Sequence, residues 1–213
     1  MVQFPLPPAI DKDRLMRHIA ESKDIEGYRG GNNVSHSIAV GVLETIAFYS
    51  KTLQGKRVAI VGQGNLICQS FIETLQRAAA SVTHYPRIGP ELRGLETDIL
   101  ITELLDYDAT TTGIALNSLD ITADEITKLD LDGILSEITV TEGIIDLTFM
   151  YDRPGFKPRG GAIDTLRCTA GSTWRAVVPD GIHPVIFPVM MRNLRERSTL
   201  KVASRVAIEP VAN

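Results

Sequence analysis

Two glycines one residue apart, Gly62 and Gly64, close the run Arg57-Val58-Ala59-Ile60-Val61 and open a helical pattern. A β-branched burst, a glycine turn and a helix can hold a phosphate. The unpaired N–H groups and positive dipole end of the helix N-terminus point at such a ligand. A full dinucleotide fingerprint wants a third glycine where Ile67 stands, so the same residues also describe a tight strand-to-helix turn in any α/β protein. Gln63 and Asn65 lie within the turn. Arg87 follows the next strand, near where an acid reads the ribose of NAD. An arginine there meets a 2′-phosphate, favouring NADP, or is a solvated surface residue. His183, after Gly181 and before Pro184, is either a ligand-facing loop residue or a hydrogen-bonded loop histidine. His36 and His84 have no metal-ligand spacing, and His18 falls on an exposed helix face. Cys68 and Cys168 stand far apart, which gives neither a zinc site nor a disulfide framework and fits a reducing cytoplasm.

Several elements must position these residues. Asp11 is expected to cap a short helix with Leu15, Met16 and Ile19 on one face. A stronger helix spans Ser37–Ser50, with Ile38, Val42, Ile46 and Tyr49 on its apolar face and Val40, Leu43 and Ala47 widening it. Arg57–Val61, Ser81–Tyr85 and Asp98–Thr102 read as strands. A helix carrying Ile67, Phe71, Ile72 and Leu75 lies between the first two. This alternation favours a parallel sheet with right-handed crossovers. Further on, Ile121–Ile126 reads as a capped helix start, and Ile134–Val140 and Ile144–Phe149 as two strands. Asp152–Gly161 reads as a loop, and Trp174 as a core or interface residue. Val185–Arg197 is an apolar helix whose Arg192, Arg195 and Arg197 suit its C-terminus. The tail from Lys201 reads as a strand or an ordered arm.

At 213 residues, 44% of them hydrophobic, the chain can bury the core of one large domain or of one domain with a small appendage. Its net charge of −4 argues against nucleic acid as the main partner. No apolar run reaches the ~18 residues of a membrane span. Met1–Pro7 lacks the regions of a signal peptide. The expectation is a cytoplasmic protein with no membrane and no nucleic-acid partner.

Taken in order, the segments resemble the methylenetetrahydrofolate dehydrogenase/methenyltetrahydrofolate cyclohydrolase family. Met1-Val2-Gln3-Phe4-Pro5-Leu6-Pro7 resembles that family's V-Q-L-P-L-P segment, and Lys23-Asp24-Ile25-Glu26-Gly27-Tyr28 its K-D-V-D-G-F segment. Gly41 through Lys56 resembles the helix and L-x-G-K lead-in to the nucleotide strand. Gly62 to Cys68 stands where the family has G-R-S-x-x-V-G. Ala80–Thr83, Asp98–Ile101, Gly143–Asp146 and Gly161–Asp164 resemble A-T-V-T, A-D-I-L-I, V-I-D-V-G and G-D-V-D. Pro179–Pro184 and Met190–Asn193 resemble P-G-G-V-G-P and M-L-x-N.

The resemblance implies an α/β fold, with a Rossmann-like, mostly parallel sheet flanked by helices over residues 54–178. Residues 1–53 would be a reduced remnant of the family's catalytic domain. Residues 179–213 would be a C-terminal helix and tail packing back on it. That remnant is too small to bury itself alone, so a homodimer or another partner covering it is expected. The implied activity is NAD(P)-dependent oxidation of methylenetetrahydrofolate or a related one-carbon pterin. Gln3 matches a glutamine that tunes the family's lysine, and Glu26 replaces the aspartate that holds the folate ring. Gly62, Gln63, Gly64, Asn65 and Arg87 would hold NADP or NAD, while Asp180, Gly181 and His183 would lie beside the folate or pterin. The family is also a hydrolase, but no residue here matches the lysine that handles proton transfer in its cyclohydrolase step. Gln63 departs from the arginine of G-R-S, Cys68 from a glycine, and the G-K-P motif is missing. A non-catalytic nucleotide-binding or scaffold descendant, and a Rossmann-like enzyme acting on another ligand, are the alternatives.

Overall fold

The strand Arg57–Val61 (β1) is β-branched and buried from its second residue onward, as befits a central strand covered on both faces. In this computed structural model, residues 10–29, 35–62, 67–78, 81–86, 89–103, 137–147, 150–152, 157–159, 172–177 and 181–206 are described. β1 pairs in parallel with Ser81–Tyr85 (β2) on one side and with Glu96–Thr102 (β3) on the other. Thr139–Asp146 (β4) adds to β3, and Trp174–Val177, the seventh strand among the described residues (β7), adds to β4. The order is therefore β2-β1-β3-β4-β7 and every pairing is parallel. Met150–Asp152 (β5) and Lys157–Arg159 (β6) form a separate antiparallel pair.

Among the described residues the α-helices are Lys12–His18 (α1), Ser37–Ser50 (α2), Gln69–Arg77 (α3) and His183–Val206 (α4). Asp11 caps α1 by accepting the Arg14 N–H at 2.9 Å. On one face of the sheet stand Val58, Ile60, Ile99, Ile101, Ile145 and Ala176. They share a core with Ile38, Val42 and Ile46 of α2, Phe71 and Leu75 of α3, and Ile186 and Met190 of α4. The alternate positions Ala59, Val61, Leu100 and Ile144 are buried too, so both faces are covered. α2 and α4 approach closely because Gly41 has no side chain: a Cβ there would stand 2.8 Å from Ile186 Cγ1. No helix among the described residues is long and apolar enough to cross a membrane.

Several expectations need correction. The buried face of α2 runs through Ile38, Ala39, Gly41, Val42, Thr45 and Ile46, while Ala47 and Tyr49 are exposed. Tyr49 instead stacks on Trp174, their centroids 4.9 Å apart. β3 begins at Glu96 rather than Asp98. Where two strands were expected, over 134–140 and 144–149, the described residues form one strand, Thr139–Asp146, running through Gly143. That glycine does not break the strand. It makes room for the indole of Trp174 on the neighbouring β7, which a Cβ would overlap. The loop expected over 152–161 contains β6, paired with β5. α4 starts at His183 and continues through Val206, so Arg192, Arg195 and Arg197 lie within it, and the segment from Lys201 begins as helix. The helix start expected at Ile121 lies outside the described residues.

Candidate functional site

The strand order reverses direction at β1, with β2 on one side and β3 on the other. In open parallel sheets the crevice beyond the C-terminal ends of two such strands is where ligands bind. Here it lies between Val61-Gly62 and Thr102-Glu103. Gly62 has φ +116°, and a Cβ on it would overlap the carbonyl oxygen of Glu103. The Gly62 N–H donates to the Tyr85 carbonyl (2.8 Å), and the Glu103 N–H to the Val61 carbonyl (3.0 Å). The His84 ring lies 2.8 Å from the Gly62 carbonyl through Nε2.

Glu103 is wholly buried, and its Oε2 accepts the Ile67 N–H at 2.8 Å. Cys68 then stands at the N-cap of α3 with its Sγ 3.1 Å from Ser70 Oγ and makes no capping bond, so it does not compete for the first-turn N–H groups. A glycine with positive φ and a helix N-terminus without a side-chain cap fit a phosphate-bearing cofactor. At the neighbouring strand end, the Thr102 hydroxyl donates to the buried Asp146 carboxylate at 3.0 Å.

The segment Lys23–Arg29 reaches this crevice. Asp24 fixes its turn by accepting the N–H groups of Gly27 (2.9 Å), Tyr28 (3.3 Å) and Arg29 (2.9 Å). Gly27 has φ +75° and passes close to the backbone of Ser35 and His36. Glu26 is buried, with its carbonyl accepting the Ser37 N–H at 2.8 Å. Asn193 of α4 donates to the Ile25 carbonyl at 2.9 Å, and Ser70 of α3 to the Tyr28 carbonyl at 3.3 Å. Burial, above all, raises the Tyr28 phenol well beyond its ordinary pKa, with Glu26, Cys68, Glu103 and Asp24 adding to it. Tyr28 therefore lies within electrostatic reach of both Glu26 and Glu103. His36, at the N-cap of α2, meets Tyr28 and Phe71 edge-on. Burial pushes its imidazole down to about 3, so it is neutral.

Of the residues singled out from the sequence, Glu26 and Gly62 fall on the two sides of this arrangement. Gly181 is exposed just ahead of α4 and His183 exposed at its first residue. Desolvation lowers the pKa of His183. Gln3, Gln63, Gly64, Asn65, Arg87 and Asp180 lie outside the described residues. Sequence reasoning missed Glu103 and Tyr28. The available signal for Glu103 was its place immediately after the apolar run Ile99–Ile101 and Thr102, level with the glycine turn.

No protein-family model matches the chain. Over 218 residues it is 24% identical to the bifunctional protein FolD of Nautilia profundicola, an alignment covering 98% of this chain and 67% of that protein. Across most of its length the chain is similar to FolD proteins in sequence and in fold. A 93-residue stretch is 36% identical to FolD of Rickettsia rickettsii, covering 39% of this chain and 32% of that one. The FolD methylenetetrahydrofolate dehydrogenase/cyclohydrolase of Campylobacter jejuni superposes with a TM-score of 0.60 at 20% identity, over 92% of this chain and 66% of that chain. The Trypanosoma brucei FolD complexed with NADP cofactor and inhibitor gives 0.57 at 21% identity, over 94% and 66%. These two likenesses show the FolD fold. The chain spans at most about two thirds of the length of these relatives.

Proposed function

We propose that this FolD relative is a methylenetetrahydrofolate dehydrogenase-like oxidoreductase, which moves a hydride between a one-carbon-loaded tetrahydropterin and NADP or NAD. One observation carries the reading. The Lys23–Arg29 turn, which holds Glu26, is tied by the Ser70–Tyr28 hydrogen bond to the helix that follows the glycine turn. A pterin held by Glu26 and a cofactor on Gly62 and the α3 N-terminus would then meet in one crevice. Hydride transfer asks mainly that two ligands be held in line, so positioning supplies much of the catalysis. The bound nicotinamide would supply the acceptor for the hydride. Gln63, Gly64, Asn65 and Arg87 are proposed to hold the cofactor. Gln3 is proposed to act beside Glu26, and Asp180, Gly181 and His183 to border the substrate. In this reading residues 54–178 serve the cofactor, and residues 1–53 and 179–213 serve the substrate.

A homodimer is part of the proposal. Phe187, Met191 and Leu194 recur at helical spacing on α4 and are exposed, as is Phe48 on α2. Sedimentation at micromolar concentration should find a dimer; a strict monomer removes this part.

Calorimetric titration with NADP and NAD, followed by 340 nm absorbance with methylenetetrahydrofolate, tests the function. Binding and turnover are expected, and Glu26→Gln should lower turnover while leaving cofactor affinity unchanged. Cofactor binding without turnover would favour a non-catalytic nucleotide-binding descendant. No binding of either nucleotide would remove the dehydrogenase.

A further inference from the structure

The amide of Ile67, where the glycine turn leads into α3, already holds an anion supplied by the protein. Glu103 is wholly buried at the end of β3, its backbone against Gly62 and its Oε2 2.8 Å from the Ile67 nitrogen. A ligand phosphate at such a turn seeks backbone N–H groups of this kind. It would meet one of them engaged, and a carboxylate beside it. The same carboxylate adds to the raised pKa of the Tyr28 phenol, so its charge is felt toward the Lys23–Arg29 segment as well.

We infer that Glu103 is a specificity-determining residue of the crevice: its carboxylate stands in for a phosphate at the Ile67 amide and holds down affinity for the pyrophosphate of a dinucleotide. The inference rests on the reading that a dinucleotide occupies the crevice. It adds that the site favours the nucleoside part of its ligand over the phosphates. Like charges in a site shielded from water repel more strongly than in bulk solvent, and the Glu103 carboxylate is fully shielded.

The test is calorimetric titration of wild type, Glu103→Gln and Glu103→Asp with NADP and NAD, with thermal melting to confirm folding. Glu103→Gln keeps an oxygen for the Ile67 N–H and removes the charge. It should bind at least tenfold tighter than wild type, while Glu103→Asp stays as weak as wild type. If wild type binds and Glu103→Gln binds no tighter, the inference fails and the dehydrogenase reading stands. If no folded form binds either dinucleotide, both fail. Should Glu103→Gln not fold, the wild-type protein decides the matter alone. Adenosine binding at least as tightly as ADP supports the inference, and ADP binding tenfold tighter overturns it.

Discussion

Toward the N-terminal end of the parallel sheet, acids sit opposite cations at or near the surface: Asp98 and Glu96 with Arg57, Glu142 with Lys56, Glu137 with Arg93. At the C-terminal end, Glu103 and Asp146 are shut away from solvent, where the Ile67 amide donates to the first and the Thr102 hydroxyl to the second. Exposed ion pairs contribute between nothing and about 1 kcal/mol. A buried carboxylate stripped of a donor costs about 1–3 kcal/mol. The difference teaches where this chain tolerates change. One end is a solvated rim that many sequences would satisfy. The other is a set of interlocked polar groups, at the end where ligands approach a sheet of this topology.

The sharpest way to break that contrast uses glycine. Gly62 and Gly94 both have positive φ, but a Cβ on Gly62 would overlap Glu103 and one on Gly94 meets nothing within 4 Å. Gly62→Ala should therefore lower unfolding stability by about 3 kcal/mol or more. Gly94→Ala, near the N-terminal rim, should cost about 1 kcal/mol. Denaturant titration of the two variants checks the ranking, and equal losses would refute it.

Acid comes next. His36 is held neutral in the folded state, with its pKa lowered to about 3. Once unfolded, it gains a proton below about pH 6.5. The unfolded state then binds more protons, so the His36 contribution is complete above pH 6.5 and is lost as pH falls toward 3, by about 1.4 kcal/mol per unit. Between pH 7 and pH 5 the loss from this group should be about 2 kcal/mol, and His36→Phe should flatten the stability profile over that range.

Thr102→Val should then cost about 1–2 kcal/mol, because it removes the hydroxyl that donates to the buried Asp146. Glu137→Gln on the opposite rim, facing a half-exposed Arg93, should cost under about 1 kcal/mol. Rim and crevice variants that came out alike would erase the distinction between the two ends.

Much of the scaffold was legible in the sequence because its signals are local. Arg57–Val61 and Ser81–Tyr85 are β-branched runs bounded by turn residues, and α2 starts and ends where its periodicity does. The misreadings share one physical origin. Gly143 reads as a strand break until a tryptophan from another strand needs the space above it. Tyr49 fits a helical stripe, yet lies half outside and stacks on the same tryptophan. Glu103 went unnoticed, since its donor, the Ile67 amide, lies 36 residues earlier. Local pattern reveals which element forms; it does not reveal what a distant segment will press against it.

The close approach of α2 and α4 through Gly41 and Ile186 also has a meaning in time. The apolar side of α2 is completed by α4, an element synthesised much later. Translation proceeds at about 5–20 residues per second, so α2 spends many seconds beside a growing sheet with Ile186 and Met190 still to come. Until α4 arrives, the nascent chain carries an uncovered seam, and a helper that shields apolar surface would find it there.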